Sequence, residues 1–266
     1  MKFKWFFVLD DDKMPQQNLF GEISEKFLDI IPTSVVDVKK SGTIRRNDQP
    51  VDFDSESALS VYSEFHPEIC KLCYELFLRD ATLVFDPFAG WGERHHYATL
   101  YKKTYRGFDL NQEAIDYAKK TYNVENAYRD TMTIAENDFP NGTFNGVITS
   151  PPYWNRELYA DDSRGGDRQP SWEGFLNWYK NIWVKVVALA APNTTFCVVV
   201  GNWRKDHKYY DLVYQTQKIF DTLGLTPIDM VVVSRKIITK IKVMIPQTIR
   251  EGYTINLHEI LLVYRK

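Results

Sequence analysis

From residue 81 onward, short apolar runs alternate with longer stretches whose apolar positions recur at helical spacing. Residues 81–86, 105–109, 144–149, 194–200, 230–233 and 257–264, with a shorter run near 127–129, read as strands. Residues 93–103, 111–122, 172–190 and 211–223 read as helices. In the second of these, Asn111 is placed to cap the N-terminus, and Ala114, Ile115 and Ala118 share one face. The run 194–200 is uncharged and mostly apolar, as expected of a central strand in a parallel sheet. The order βαβαβ followed by βαβαββ predicts an open, mostly parallel sheet with helices on both faces. No convincing helix separates the last two runs. They are expected to pair as an antiparallel hairpin at one sheet edge, with 237–255 as a long excursion.

Residues 1–55 fit this alternation poorly. They contain Pro15, Pro32 and Pro50 and a charged, turn-rich stretch at 39–46. They read as an extension that wraps the domain or touches substrate, with 56–266 as the domain itself. The apolar start of the chain is only five residues long and runs into Asp10, Asp11 and Asp12, which suits a strand or packing arm better than an export signal. No apolar run approaches the roughly 20 residues a membrane helix needs. A membrane partner is therefore not expected, and the chain reads as cytoplasmic.

Hydrophobic residues are 44% of the chain and charged residues 26%, which fits a folded globular protein. The net charge of −2 means that any nucleic-acid surface must be a local patch. The aromatic share of 15% can fill a core or stack on bases. Cys70 and Cys73 form a CxxC, but no second Cys or His pair stands nearby to complete a zinc site. With Ile69, Leu76 and Phe77 they share a helical face, so they read as buried thiols in a reducing compartment. His95 and His96 stand alone, and no metal is expected.

Two loops carry candidate chemistry. The first, Asp86-Pro87-Phe88-Ala89-Gly90-Trp91-Gly92, directly follows a strand and precedes a helix. Its glycines permit a tight turn and bring backbone N–H groups close to a ligand. A Gly-x-Gly alone is equally an ordinary turn, but Asp109 stands at the tip of the next strand. A carboxylate there can accept hydrogen bonds from ribose hydroxyls. Asp130 ends the third strand in the same way. The second loop, Thr149-Ser150-Pro151-Pro152-Tyr153-Trp154, ends the fourth strand, where open parallel sheets bind ligands. Two prolines stiffen it and leave carbonyls without competing N–H donors. Rigid acceptors beside an aromatic ring suit an amino group on a flat base.

These loops resemble the cofactor and catalytic loops of the S-adenosylmethionine-dependent amino-group DNA methyltransferases. The resemblance covers about residues 60–266. Phe65-His66-Pro67 is similar to the segment that closes over the methionine end of the cofactor, and 196–204 and 258–264 resemble the family's later strands. It implies a Rossmann-like methyltransferase fold, with a mostly parallel seven-stranded sheet and an antiparallel last strand. It implies S-adenosyl-L-methionine as cofactor, held by His66, Pro67, Asp86, Phe88, Ala89, Gly90, Gly92, Asp109, Leu110, Asp130 and Thr149. It makes Ser150, Pro151, Pro152 and Tyr153 catalytic, acting on a base flipped out of double-stranded DNA. The Ser-Pro-Pro-Tyr version is most similar to the cytosine-N4 branch, with adenine N6, an RNA base, or a catalytically inactive DNA-binding module as alternatives. The cofactor loop precedes the catalytic loop, the reverse of many Ser-Pro-Pro-Tyr members; that leaves the chemistry intact and the subgroup open. No Pro-Cys loop offers the thiol that cytosine-C5 methylation needs.

Basic residues cluster in two excursions, Arg156, Arg164 and Arg168 in one, and Lys236, Lys240 and Lys242 within a longer run in the other. Solvated loops would look the same; read functionally, they hold the DNA backbone. No large recognition domain is visible, so recognition is compact or uses a separate recognition or restriction subunit.

Overall fold

In the computed structural model the chain divides into two compact units, 1–31 and 32–266. The described residues are 34–38, 43–45, 61–63, 65–139, 143–155, 162–235, 245–246, 248–254 and 256–266, with side chains undescribed at 43–45, 61–63 and 235. The first unit therefore lies outside them.

In chain order the strands and helices are β1 (Val35–Val38), β2 (Thr43–Arg45), β3 (Val61–Ser63), α1 (Pro67–Leu72), β4 (Leu83–Asp86), α2 (Glu93–Leu100), β5 (Thr104–Asp109), α3 (Gln112–Tyr122) and β6 (Ala127–Tyr128). There follow β7 (Gly146–Thr149), α4 (Trp172–Leu189), β8 (Thr195–Val200), β9 (Trp203–Lys205), β10 (Lys208–Tyr210), α5 (Leu212–Thr222), β11 (Thr226–Arg235) and β12 (His258–Arg265). Eight strands form one sheet in the order β1-β11-β12-β8-β7-β4-β5-β6. All run parallel except β12, which is antiparallel to both β11 and β8. This is a Rossmann-like α/β sheet with an antiparallel last strand.

Two features depart from the sequence pattern. The last two runs do pair antiparallel, but not as an edge hairpin: β12 is inserted between β11 and β8. Its residues Ile260 to Tyr264 are all buried, as an interior strand requires. The edge is instead β1, contributed by the stretch read as an extension, which pairs parallel with the end of β11 and makes the sheet eight-stranded.

The helices cover both faces. On one, Phe85, Val147, Phe196, Val198 and Leu262 pack with Phe175, Tyr179, Ile182 and Trp183 of α4 and Phe220 of α5. On the other, α1 and the turn that continues it bring Cys70 and Cys73 to full burial, with Cys73 beside Cys197 of β8. Burial raises both thiols well above the ordinary value. The helix widens into a π turn at 73–77. That wider turn rotates the apolar face, burying Tyr74 and leaving Leu76 exposed rather than packed with Ile69. In α3, Asn111 caps as expected, its Oδ1 accepting from the Ala114 N–H at 3.2 Å.

Candidate active site

The parallel strands β4, β5, β6 and β7 end at one side of the sheet, so the loops after them converge. Asp86, the last residue of β4, is fully buried and holds this junction together. Its Oδ1 accepts from the Phe88 N–H at 3.0 Å and the Thr149 hydroxyl at 2.5 Å. Its Oδ2 accepts from Arg94 Nε at 2.5 Å and the Tyr105 hydroxyl at 2.6 Å. One carboxylate thus ties the glycine loop, α2, β5 and the tip of β7. Burial pulls the Arg94 guanidinium down, but Asp86 and Tyr105 more than offset this and hold it above its ordinary value.

The glycine loop turns through left-handed backbone at Gly90 (φ 55°) and Gly92 (φ 98°). A β-carbon at Gly92 would lie 2.5 Å from the Ala118 β-carbon, so only glycine lets α3 pack this closely. The Gly90 N–H donates to Asp109 Oδ2 at 2.7 Å, and the Asn111 N–H to Asp109 Oδ1 at 2.8 Å. Burial pushes the Asp109 carboxyl up, and these two N–H donors pull it back. Asp130 caps a short turn through the Met132 N–H, and the adjoining Thr131 hydroxyl reaches the Pro87 carbonyl at 2.6 Å.

A cleft of about 1220 Å³, including the solvent at its mouth, opens over these loops. His66, Phe88, Gly90, Asp109, Leu110 and Asp130 line it together with Ser150, Pro151, Pro152 and Tyr153. The two candidate loops therefore share one space. Pro67, Asp86, Ala89, Gly92 and Thr149 stand outside its lining; Asp86, Gly92 and Thr149 shape the lining from behind. Trp91 lines the cleft as well, edge-on to Tyr117.

The basic residues divide. Arg164 is exposed and paired with Asp162 at 2.6 Å, a contact that draws the Asp162 carboxyl down to about 2. Arg168 stands 3.7 Å from Asp167. Arg156, Lys236, Lys240 and Lys242 lie outside the described residues. In the loop before α4, Gly165, Gly166 and Asp167 reach the cleft, with Gly166 pressed against Trp178.

The sequence reading missed Glu259. It is the second residue of β12, it lines the cleft, and it is 8% exposed. Its Oε1 accepts from the buried Tyr153 hydroxyl at 3.0 Å, across 106 residues of chain. A β-carbon at Gly201 would lie 3.1 Å from that hydroxyl and 3.2 Å from Glu259 Cγ, so the bare backbone there makes room for the pair. The available signal was a carboxylate inside an otherwise apolar strand, since acidic residues are seldom buried without a partner. Trp203 completes the setting, edge-on to the Tyr153 ring at 5.2 Å.

No family model matches the chain, and no curated protein sequence matches it. Solved structures do. The chain is similar to TrmN from Thermus thermophilus, with 13% identity and a TM-score of 0.49 over 76% of this chain, and it spans about half (49%) of that one. It is also similar to the N-methyltransferase NodS from Bradyrhizobium japonicum WM9, with 12% identity and a TM-score of 0.47 over 75% of this chain and 94% of that one. A third is the magnesium protoporphyrin IX methyltransferase ChlM from Synechocystis PCC 6803, with 12% identity and a TM-score of 0.46 over 82% and 86% of the two chains. Likeness at this level is a likeness of fold.

Proposed function

We propose that the chain is an S-adenosylmethionine-dependent methyltransferase acting on an exocyclic amino group of a base in DNA, cytosine N4 before adenine N6. The observation that carries this reading is the shared cleft. A glycine loop with Asp109 on one side faces the Ser150–Tyr153 hook on the other.

The residues present fit the cofactor. Asp109 retains acceptor capacity on both oxygens after its two backbone contacts, which suits two ribose hydroxyls. Leu110 and Trp91 offer apolar surface for a purine ring, and His66, Glu93 and Arg94 surround the end suited to the charged methionine portion. S-adenosylmethionine bound there would supply an electrophilic methyl group on a sulfonium, with the neutral thioether as leaving group and the displaced amino proton released to solvent.

The chain's own residues then have separable tasks. Tyr153, its hydroxyl held by Glu259, presents a fixed ring face for the base to stack on. Ser150 and the carbonyls of the diproline segment accept the amino hydrogens and hold the nitrogen lone pair toward the cofactor. Pro151 and Pro152 keep those acceptors from relaxing. Positioning and electrostatics supply the acceleration, with no covalent step on the protein.

The test is mass spectrometry of digested nucleic acid after expression in a host that lacks base methylation, beside labelled-cofactor incubation with duplex DNA and with RNA. N4-methylcytosine in DNA is expected. Label found only in RNA would overturn the DNA reading.

A further inference from the structure

The hairpin of β9 and β10 stands beside Tyr153 and carries three cations, Arg204, Lys205 and Lys208, against one carboxylate, Asp206. Its turn residues Asp206 and His207 both adopt left-handed backbone (φ 50° and 59°), the geometry of a tight two-residue hairpin turn. Toward the protein, Trp203 and Tyr210 stack on each other at 5.1 Å, and both meet Trp172 edge-on. Trp203 also abuts Tyr153, and Tyr210 abuts Trp154. The hairpin is therefore anchored to the catalytic loop by rings.

By strand alternation Lys205 and Lys208 share the face of Trp203 and Tyr210, toward the tip of the hairpin, while Arg204 and Tyr209 take the other face. Lys205 and Lys208 face each other directly across the two strands. Like charges in that position destabilise a hairpin. Lys205 donates to the Asn155 carbonyl at 2.6 Å and to Asn155 Oδ1 at 2.8 Å, next to the catalytic loop. Arg204 lies over the rings of Tyr209 and Tyr253, at 4.7 and 4.8 Å. Among the described residues none of these three cations forms an ion pair with a carboxylate, whereas Arg164 and Arg168 both have one close by. Ring packing pre-orients the hairpin.

We propose that this hairpin grips the phosphate backbone of duplex DNA next to the flipped base. Lys205 and Lys208 share a phosphate, Arg204 takes a second, and Asn155 links the grip to the catalytic loop. The proposal rests on the reading of DNA as substrate. A phosphate between the two lysines turns their repulsion into attraction, so the feature that weakens the free hairpin strengthens the complex.

The experiment compares the full wild-type chain with Arg204→Gln/Lys208→Gln, and with Lys180→Gln/Lys185→Gln on exposed positions of α4 as a charge-matched control. Binding of a fluorescent DNA duplex is measured by anisotropy across a salt series, with cofactor binding by calorimetry and thermal unfolding alongside. Loss of the Arg204 phosphate, with Lys205 still holding the shared one, should lower the slope of log affinity against log salt by about 1, so the wild-type advantage shrinks roughly three- to fourfold between ~50 and ~200 mM salt. Cofactor affinity should not move, and in the unfolding midpoint relief of the lysine pair should offset the lost ring contacts of Arg204. An unchanged slope in a wild type that does bind and methylate DNA would overturn the hairpin proposal alone. So would an equal change in the control, or a lowered midpoint that accounts for the loss. A wild type that binds cofactor but neither binds nor methylates DNA would instead overturn the reading beneath it.

Discussion

Replacing Gly92 with alanine should be markedly more destabilising than the same change at Gly224. Both residues have positive φ, 98° and 76°. Both substitutions therefore carry the left-handed backbone penalty of about 1–2 kcal/mol and the same gain from stiffening the unfolded chain. They differ in what the new β-carbon meets. At Gly224, just beyond α5, nothing lies within 4 Å. At Gly92 it would stand 2.5 Å from the Ala118 β-carbon, 3.1 Å from the Ala118 α-carbon and 3.3 Å from Val124 Cγ2. Backbone lies behind two of those contacts, so α3 must shift. Overpacking of that kind costs about 1–3 kcal/mol. In a domain of this size that difference is roughly 2–12 °C in midpoint. Circular dichroism melts of the two variants give the difference directly, with the shared terms cancelling. Calorimetry with S-adenosylhomocysteine should also show weaker binding for Gly92→Ala, because the same loop presents the Gly90 N–H to Asp109. Equal melting of the two variants would refute the close approach of α3 on which the shape of the loop depends.

Three further outcomes follow from buried polar contacts. Glu259→Leu removes the carboxylate that accepts from the buried Tyr153 hydroxyl, at about 1–3 kcal/mol, and should depress methyl transfer while cofactor affinity holds; Glu259→Gln, which keeps an acceptor, should restore most of it. Full activity in the leucine variant would remove Glu259 as a positioning residue. Arg94→Met strips the ion pair from the buried Asp86 and should lose about 3–5 kcal/mol in urea unfolding; a loss under about 1 kcal/mol would mean that the hydroxyl and N–H donors alone sustain that carboxylate. Burial lowers the pKa of His95 below its ordinary 6.5, with the Asn126 hydrogen bond and Asp86 pulling the other way. The unfolded chain then binds the proton more readily than the folded one. This part of the stability is complete above 6.5 and is lost as the pH falls from there through the lowered folded value. Urea midpoints of wild type and His95→Gln should converge in the acid range, and parallel curves would contradict the assignment.

Much of the α/β alternation was legible in the chain because it rests on local signals. The periods of 2 and 3.6, the Asn111 cap and the turn glycines each act within a few residues, and so placed β4 through β8 and α2 through α4 near where they lie. The two loops were legible for the same reason, since each is a continuous stretch at a strand tip. What escaped was made by residues far apart in sequence. Periodicity says that β12 is apolar on both faces, but not that it inserts between β8 and β11. That insertion alone brings Glu259 to Tyr153. The β9–β10 hairpin was missed because its turn is Asp-His rather than an Asn-Gly or Asp-Gly signal, and its strands are only three residues each. Asp86 read as a ligand-facing carboxylate, yet Arg94, Tyr105 and Thr149 surround it and turn it into the brace behind the cleft. Local chemistry was fixed by the order of residues, but which side chains complete one another depended on strand order, because hydrogen bonds and ring contacts form through space and carry no trace in the spacing along the chain.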